Sequence, residues 1–331
     1  MFTIYQDTML SYQDYILIKL IKRQTAILNR DNVSRTKAYL SFFRKHPSIK
    51  WSFLASMVSR NAGYSMCDLE GEMLKNTLNP TYRTTLFLTY EKANYLIFQD
   101  AFPQLLLYHY STKLSSNKFH LLKYFSVSQF MEKEWRKFWI EQNQQRLIIS
   151  LIINEQNIIQ KPVIEEPFYK KKVFHSGLFI LQDLLHFSTV LFPMKNGELY
   201  GATVHHFTNL DARIDLGKKL AAILFDNDLF PAFFDFAVST EHTGSRRDYE
   251  RYTPGNQPYT PFLRMVYPIV SHEEKKIISW DQHQKIKRKW RGSVRFPKNS
   301  NITSWYRKKQ NQLRISCTLS AFFRPYDKAR R

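Results

Sequence analysis

Glycine is scarce in this chain, with 9 glycines among 331 residues, under half the usual share of roughly 7%. Phosphate-binding loops of doubly wound folds place glycine where the backbone approaches the ligand. The sequence contains neither a GxGxxG nor a GxxxxGK[ST] motif, and its Gly-Lys pair, Gly217-Lys218, lies inside a helical pattern. Nucleotide binding by these two routes is therefore not expected.

Cysteine and long apolar runs are also rare. The two cysteines, Cys67 and Cys317, lie far apart in the sequence and have no metal-type spacing. The N-terminus does not resemble a signal peptide, and no run approaches the roughly 20 apolar residues of a spanning helix. We therefore predict a reduced, cytoplasmic protein with no transmembrane segment, no metal and no cofactor.

Acidic residues are nearly absent from the C-terminus. Residues 281–331 contain 15 Lys and Arg but only two acids, so they carry +13 of the formal net charge of +21. A strongly basic segment on a less charged body points to polyanions as partners.

Helical periodicity dominates the first 225 residues, and 44% of the chain is hydrophobic, enough for a sizeable core. Asn79-Pro80 predicts a helix start, Pro103 a break, and residues 128–160 a single long helix. The one notable strand candidate is 199–207. We predict an all-α fold: a single compact multi-helix body over 1–237, a loop-rich connection over 238–280, and a basic, poorly ordered tail over 281–331.

The candidate catalytic residues are polar groups at positions where helical spacing predicts a core. Glu155 is the clearest, because the residues three, four and seven positions away on its face are all apolar. Such a carboxylate is either paired or protonated, since its desolvation is costly. Arg60 is the predicted counter-ion for Glu155 or Asp100. The full candidate set is Glu155, Arg60, Asp100, Asn94, Asn61 and His206.

Two interpretations of this polar set stay open. In the first, buried pairs and amide bridges fix helix register without a ligand. In the second, a hydrolase-type enzyme uses Glu155 as a general acid or base while Arg60 stabilises negative charge. His205-His206 and Glu241-His242 are poor metal candidates, because adjacent histidines point in different directions.

The segment HTGSRRDYER places Arg246 and Arg247 in a polar stretch rich in turn residues. Arginine side chains bind phosphate by bidentate hydrogen bonds, so these two are phosphate-binding candidates. The alternative, which we favour, is a solvated loop whose arginines are balanced by Asp248 and Glu250.

Two basic clusters in the tail, KIKRKWRG (285–292) and WYRKK (305–309), each combine cations with a tryptophan. Phosphates attract the cations, and an aromatic ring stacks on an exposed base. The predicted polyanion-binding residues are Lys285, Lys287, Arg288, Lys289, Arg291, Arg307, Lys308 and Lys309. An anionic membrane surface, an unstructured solubilising tail, or out-of-frame translation of AT-rich coding sequence would account for the same composition.

Five long segments resemble the YppC-like family of uncharacterised Firmicutes proteins. They are HPSIKWSFLASMVSRNAGYSMCDLEGE (46–72), NYLIFQDAFPQLLLY (94–108), LIINEQNIIQKPVI (151–164), HHFTNLDARIDLGKKLAAILF (205–225) and EHTGSRRDY (241–249). The resemblance implies no activity and no catalytic residue, and it does not extend past about Tyr249. We therefore predict a non-enzymatic binding or scaffold protein with a buried polar network and an affinity for nucleic acid or another polyanion. Its oligomeric state is not predicted.

Overall fold

The computed structural model describes residues 10–60, 66–174, 189–204, 206–253, 259–273, 279–292, 294 and 296–322. Within these ranges the chain is mainly helical and has a single two-stranded sheet, which confirms the predicted all-α class. The α-helices are α1 (Tyr12–Leu28), α2 (Asn32–Lys45), α3 (Lys50–Arg60), α4 (Glu72–Thr77), α5 (Pro80–Lys113), α6 (Gln129–Glu141), α7 (Gln144–Ile158), α8 (Pro167–Tyr169), α9 (Leu210–Leu224), α10 (Phe230–Ser239), α11 (Arg247–Glu250), α12 (Leu263–Val266) and α13 (Thr303–Phe322).

The longest helix, α5, begins where the sequence predicts but does not break at its internal proline. The Asn79 side chain accepts a hydrogen bond from the Tyr82 amide at 2.8 Å, and Pro80 occupies the first turn. Pro103 lies inside the helix and is buried. An internal proline costs a helix about 3 kcal/mol, and burial of the surrounding apolar turn offsets that cost.

The single helix predicted over 128–160 is two helices, α6 and α7. Gln142 adopts a left-handed conformation with φ of 52°, and the Asn143 side chain caps α7 by accepting from the Arg146 amide at 2.9 Å. Asparagine competes well for this position because its short side chain bonds to nearby backbone amides. The break lets α6 and α7 fold back on one another.

The strand candidate is confirmed over its first five residues. Strand β2 (Leu199–Thr203) pairs antiparallel with β1 (Thr189–Pro193), with Leu191 opposite Gly201. Residues 300–302 then join the outer edge of β2, since the Gly201 amide donates to the Ser300 carbonyl and the Ile302 amide to the Leu199 carbonyl, each at 2.9 Å. Residues 300–302 are thus hydrogen-bonded to the edge of the sheet.

Large aromatic side chains fill the centre of the body between α2, α3, α5, α6 and α7. Trp51, Phe53 and Trp135 are fully buried there. Trp280 and Trp290 are buried as well, at 7% and 1% exposure, so they fix the segments around them to the body. The sequence pattern did not predict these anchors. No helix of the described residues is long and apolar enough to cross a membrane.

Candidate functional site

Glu155 lies near the end of α7 with both carboxylate oxygens hydrogen-bonded. The Trp51 indole N–H donates to Oε2 at 2.9 Å, and the Gln156 amide donates to Oε1 at 3.1 Å. The residue is half-buried as a whole, but its carboxyl group is packed deeply enough that burial raises its pKa to about 7, despite the two hydrogen bonds. Glu155 therefore has the paired oxygens of a structural group and the raised pKa of an acid–base group.

Asp100 is the second carboxyl group with a raised pKa, and it joins α5 to α7 through amide bridges. Its Oδ2 accepts from Asn154 at 2.5 Å and from Gln104 at 2.6 Å. Those two amides accept in turn from indole N–H groups, Gln104 from Trp135 and Asn154 from Trp280, both at 2.8 Å. Burial raises the pKa of Asp100 to about 7 against these bonds. The other oxygen, Oδ1, is buried and has no hydrogen-bond partner among the residues that the structure describes.

Arg60 forms an ion pair with neither carboxylate, so the predicted pairing with Glu155 or Asp100 is wrong. Its guanidinium donates to the Thr240 carbonyl oxygen and lies 5.2 Å from the Phe236 ring centroid. Burial lowers the pKa of Arg60 to about 10. Helical spacing identified Arg60 as a buried cation, but its contacts lie 180 residues further along the chain. The enzyme interpretation requires a cation beside Glu155, and Arg60 does not supply it.

Of the remaining candidates, the structure describes Asn94 and His206. Asn94 is half-buried and donates to Asn32 Oδ1 at 3.4 Å. His206 is exposed and has a positive φ of 59°. Asn61 lies outside the described residues. Across the ranges that the structure describes, no group of three or more His, Cys, Asp and Glu side chains is arranged to hold a metal ion.

The most deeply buried ion pair of the described ranges joins Arg35 of α2 to Glu91 of α5, and sequence reasoning missed it. Arg35 donates to both Glu91 oxygens, at 3.0 and 2.5 Å, and its Nε donates to Asn29 at 2.6 Å. His272 stacks on Tyr95 and lies 3.4 Å from Glu91 Oε1. Burial alone would raise the pKa of Glu91, but the hydrogen bonds from His272 and Arg35 outweigh it and lower the pKa.

Residues 241–250 form a hydrogen-bonded loop that leads into α11, and most of them are buried, so the favoured interpretation of a solvated loop is wrong. Asp248 accepts from the Thr243 amide at 2.8 Å and hydroxyl at 2.6 Å, and it lies 3.3 Å from His242 Nδ1. Ser245 is 3% exposed and donates to the Thr260 carbonyl at 2.9 Å. His242 and Thr243 are local partners of Asp248, whereas the Thr260 carbonyl lies 15 residues after Ser245, so the local polarity of the segment did not indicate its burial.

The two phosphate-binding candidates in this loop do not converge. Arg246 is buried, and its guanidinium donates to Asp68 Oδ1 at 3.1 and 2.9 Å and to Gln310 at 2.6 Å. Arg247 is exposed and lies 5.7 Å from the Tyr259 ring centroid. Since Arg246 is already occupied inside the protein, the pair does not form a phosphate clamp. Glu250, 3.4 Å from the Arg246 Nε, has its pKa raised to about 7 by burial.

We expect Gly244→Ala to destabilise the protein by about 1–3 kcal/mol, through strain and overpacking. Gly244 has a φ of 82°, and an added Cβ would lie 2.7 Å from the Leu263 Cβ. Gly292→Ala is the matched control, because the nearest described atom to its Cβ would be the Lys289 carbonyl oxygen, at an ordinary contact distance of 3.5 Å. Urea denaturation followed by circular dichroism measures both variants. Equal stability of the two would contradict the geometry of this loop.

The cations at 285–291, hereafter the basic segment, are held on the body by Trp290. Its indole N–H donates to Asp211 Oδ1 at 2.7 Å, while Lys287 and Lys289 pair with the same carboxylate at 3.0 and 2.7 Å. Burial would raise the pKa of Asp211, but hydrogen bonds from Lys289, Lys287 and Trp290 lower it to about 2. Lys218 of α9 donates to two carbonyl oxygens of the C-terminal chain, at 3.3 and 3.4 Å. The backbone of the basic segment is therefore fixed.

The basic segment presents more positive charge than its neighbours neutralise. Arg291 lies 3.7 Å from Glu134, which Arg146 already binds at 2.6 Å. Among the described residues, Asp211 and Glu134 are the two carboxylates that pair with the segment. All five of its cations are exposed: Lys285, Lys287, Arg288, Lys289 and Arg291. The result is a folded cationic surface between α6, α7 and α9.

The predicted stacking tryptophans are not free platforms. Trp290 is 1% exposed, and Trp305 is half-buried against the core. The second cluster lies on α13, where Arg307 and Lys308 are exposed and Lys309 is half-buried. Cations of both clusters face solvent, but Trp290 is buried and offers no ring face on which an exposed base could stack.

Comparison with known proteins gives a family without an assigned activity. The family model described as "Protein of unknown function (DUF2515)" matches residues 27–307. The chain is 47% identical over 297 residues to "Uncharacterized protein YppC" of Bacillus subtilis (strain 168), covering 90% of this chain and 93% of that protein. No solved structure matches the chain. The family match extends past residue 249, so it includes the basic segment and part of α13.

Proposed function

The chain belongs to the DUF2515 family of proteins of unknown function, and we propose that it is a cytoplasmic, non-enzymatic protein that binds double-stranded nucleic acid through its basic segment. The observation that carries the proposal is the presentation of five exposed cations on backbone fixed by the buried Trp290. A fixed cationic surface makes phosphate contacts at a lower entropic cost than a flexible tail.

Two features favour a duplex over a single strand. Duplex DNA has the higher charge density, so each neutralised phosphate releases more counterion. Binding of single strands relies on aromatic stacking, and the tryptophans of both basic clusters are packed against the body. We therefore infer electrostatic binding that depends strongly on salt and weakly on base sequence.

The test measures the affinity of the full-length protein for a labelled DNA duplex by fluorescence anisotropy, between about 50 and about 200 mM salt. We expect affinity to fall steeply with salt and to be higher for the duplex than for either strand alone. Lys285→Gln/Arg288→Gln should lower the slope of log affinity against log salt by about 2, or about 1 per cation. Point variants are preferable to truncation, since removing Trp290 would expose the core around it.

The matched control is Lys22→Gln/Arg23→Gln, which removes the same charge from exposed positions on α1. It should leave the slope nearly unchanged, and circular dichroism should show every variant folded. No duplex binding at low salt would overturn the proposal, as would equal slopes for the two double variants. Binding to vesicles of anionic lipid but not to duplex would assign the basic segment to a membrane surface instead.

A further inference from the structure

A cavity of about 340 Å³ lies between α5 and the chain around α12, away from the basic segment. Its apolar walls include Phe87 of α5 and Leu263, Tyr267 and Val270 of the later chain. The Phe87 and Tyr267 rings are parallel and stacked, and the Tyr267 hydroxyl donates to the Met66 carbonyl at 3.1 Å. Small-molecule sites are typically concave, mostly apolar and of about 300–1,000 Å³, so this cavity has the size and walls of a ligand site.

Glu91 is the carboxylate that reaches this cavity from inside the protein, and its charge is already compensated. Arg35 binds both of its oxygens from the core, and His272 lies 3.4 Å from Oε1. A ligand would therefore meet a neutral ion pair rather than a free negative charge. The pair fixes this part of the cavity wall, because both side chains are at most 3% exposed.

The remaining charged groups that line the cavity are Arg30, Asp31 and Arg264. Asp31 and Arg264 satisfy each other through two hydrogen bonds, at 2.8 and 3.1 Å. Arg30 is exposed and makes no ion pair or side-chain hydrogen bond with any part of the chain that the structure describes. Beside it, Ile269 is 53% exposed at the rim. An uncompensated cation next to an apolar cavity is complementary to a molecule with an apolar body and an anionic end.

We propose that this cavity binds an amphipathic organic acid, with the apolar body between Leu263 and Val270 and the carboxylate at Arg30. Burial of the apolar body supplies most of the affinity, at roughly 25 cal/mol per Å² of apolar surface removed from water. A charge-assisted hydrogen bond from Arg30 fixes the orientation and selects acids over neutral molecules. The site shares no residue with the basic segment, so it would persist if that segment bound no nucleic acid.

The test titrates the full-length protein with decanoate and, separately, with decan-1-ol by isothermal calorimetry, keeping decanoate below its micelle concentration. We expect saturable binding of decanoate. Arg30→Gln should weaken decanoate about 3- to 10-fold, as loss of one charge-assisted contact predicts, and should leave decan-1-ol unchanged. Arg23→Gln, at an exposed arginine of α1, should alter neither affinity.

A second pair of variants tests whether the ligand occupies the cavity itself. Val270→Trp should fill the cavity and lower the affinity for both probes at least about 10-fold, as loss of the buried apolar contact predicts. If that variant does not fold, Ile269→Trp at the exposed rim is measured in its place. Undiminished decanoate binding in the folded tryptophan variant would overturn the proposal, and so would the absence of binding to the unaltered protein. Equal affinities of the unaltered and Arg30→Gln proteins for decanoate would overturn the role of Arg30.

Discussion

We expect Arg35→Met to lower the free energy of unfolding by about 3–5 kcal/mol, the largest single effect that this structure predicts. The substitution removes the guanidinium that donates to both Glu91 oxygens, while methionine keeps much of the volume and the flexible stem. Glu91 would be left as a charge with 3% side-chain exposure, and His272 would be its one remaining ion-pair partner among the described residues. An uncompensated carboxylate in that position either raises the free energy of the folded state through its desolvation or takes up a proton.

Lys37→Met is the matched control, because Lys37 is also a cation of α2 but its partner Glu241 lies at the surface. The side chains of that pair are 52% and 74% exposed, so its loss should cost under about 1 kcal/mol. Chemical denaturation of both variants gives the comparison. A loss for Arg35→Met no larger than that for Lys37→Met would show that the buried pair does not stabilise the fold.

The double variant Arg35→Met/Glu91→Leu separates the pair's net contribution from the penalty for breaking it. With both charges gone and apolar groups of similar size in place, we expect much of the lost stability to return. Recovery would indicate that the Arg35–Glu91 pair specifies how α2 packs on α5 and adds little net stability to the fold. A double variant as unstable as the single one would instead assign the loss to poor packing of the new side chains.

Local sequence rules predicted features whose cause lies within one helix. The apolar face around Glu155 is buried at all five positions named by helical spacing, which are Ile148, Leu151, Ile152, Ile158 and Ile159. Ser128 caps α6 as expected, accepting from the Met131 amide at 3.3 Å. The same spacing rule would also have identified Glu91, since Phe87, Leu88 and Tyr95 lie three or four positions away on its face.

Partners distant along the chain were beyond those rules. The flanking Asp248 and Glu250 predict a solvated Arg246, whereas its hydrogen-bonded carboxylate is Asp68, 178 residues earlier. Asp211 lies in the first turn of α9, yet it is the carboxylate that holds Trp290 and Lys287, more than 70 residues later in the chain. Helical periodicity orients a side chain relative to its own helix, while the choice of partner depends on tertiary packing.

We expect the free energy of unfolding of Asp100→Asn to rise by about 2–4 kcal/mol relative to that of the unaltered protein when the pH is raised from about 4 to about 8. Burial raises the pKa of Asp100 in the folded protein to about 7, against an ordinary value of 3.8. Between these values the folded state binds a proton that the unfolded state has lost. The contribution of Asp100 is therefore fully present below about pH 4 and is lost as pH rises through about 7. Asparagine carries no charge and removes this dependence.

Comparing the free energies of unfolding of Asp100→Asn and the unaltered protein isolates the contribution of Asp100, because the other groups that titrate in the same pH range are present in both proteins. Burial lowers the pKa of His46 to about 4 and also lowers that of His242, so these imidazoles make stability rise with pH where Asp100 makes it fall. Asp228→Asn is the control, since it makes the same chemical change at an exposed position. Denaturation at several pH values gives the two difference curves, and a carboxyl-carbon NMR titration gives the Asp100 midpoint directly.

A flat Asp100→Asn curve with a midpoint near 4 would mean that Asp100 is ionised in the folded protein. The amide bridges from Asn154 and Gln104 would then hold a charge, and Asp100 would be an anion with a buried, unpartnered Oδ1 between α5 and α7.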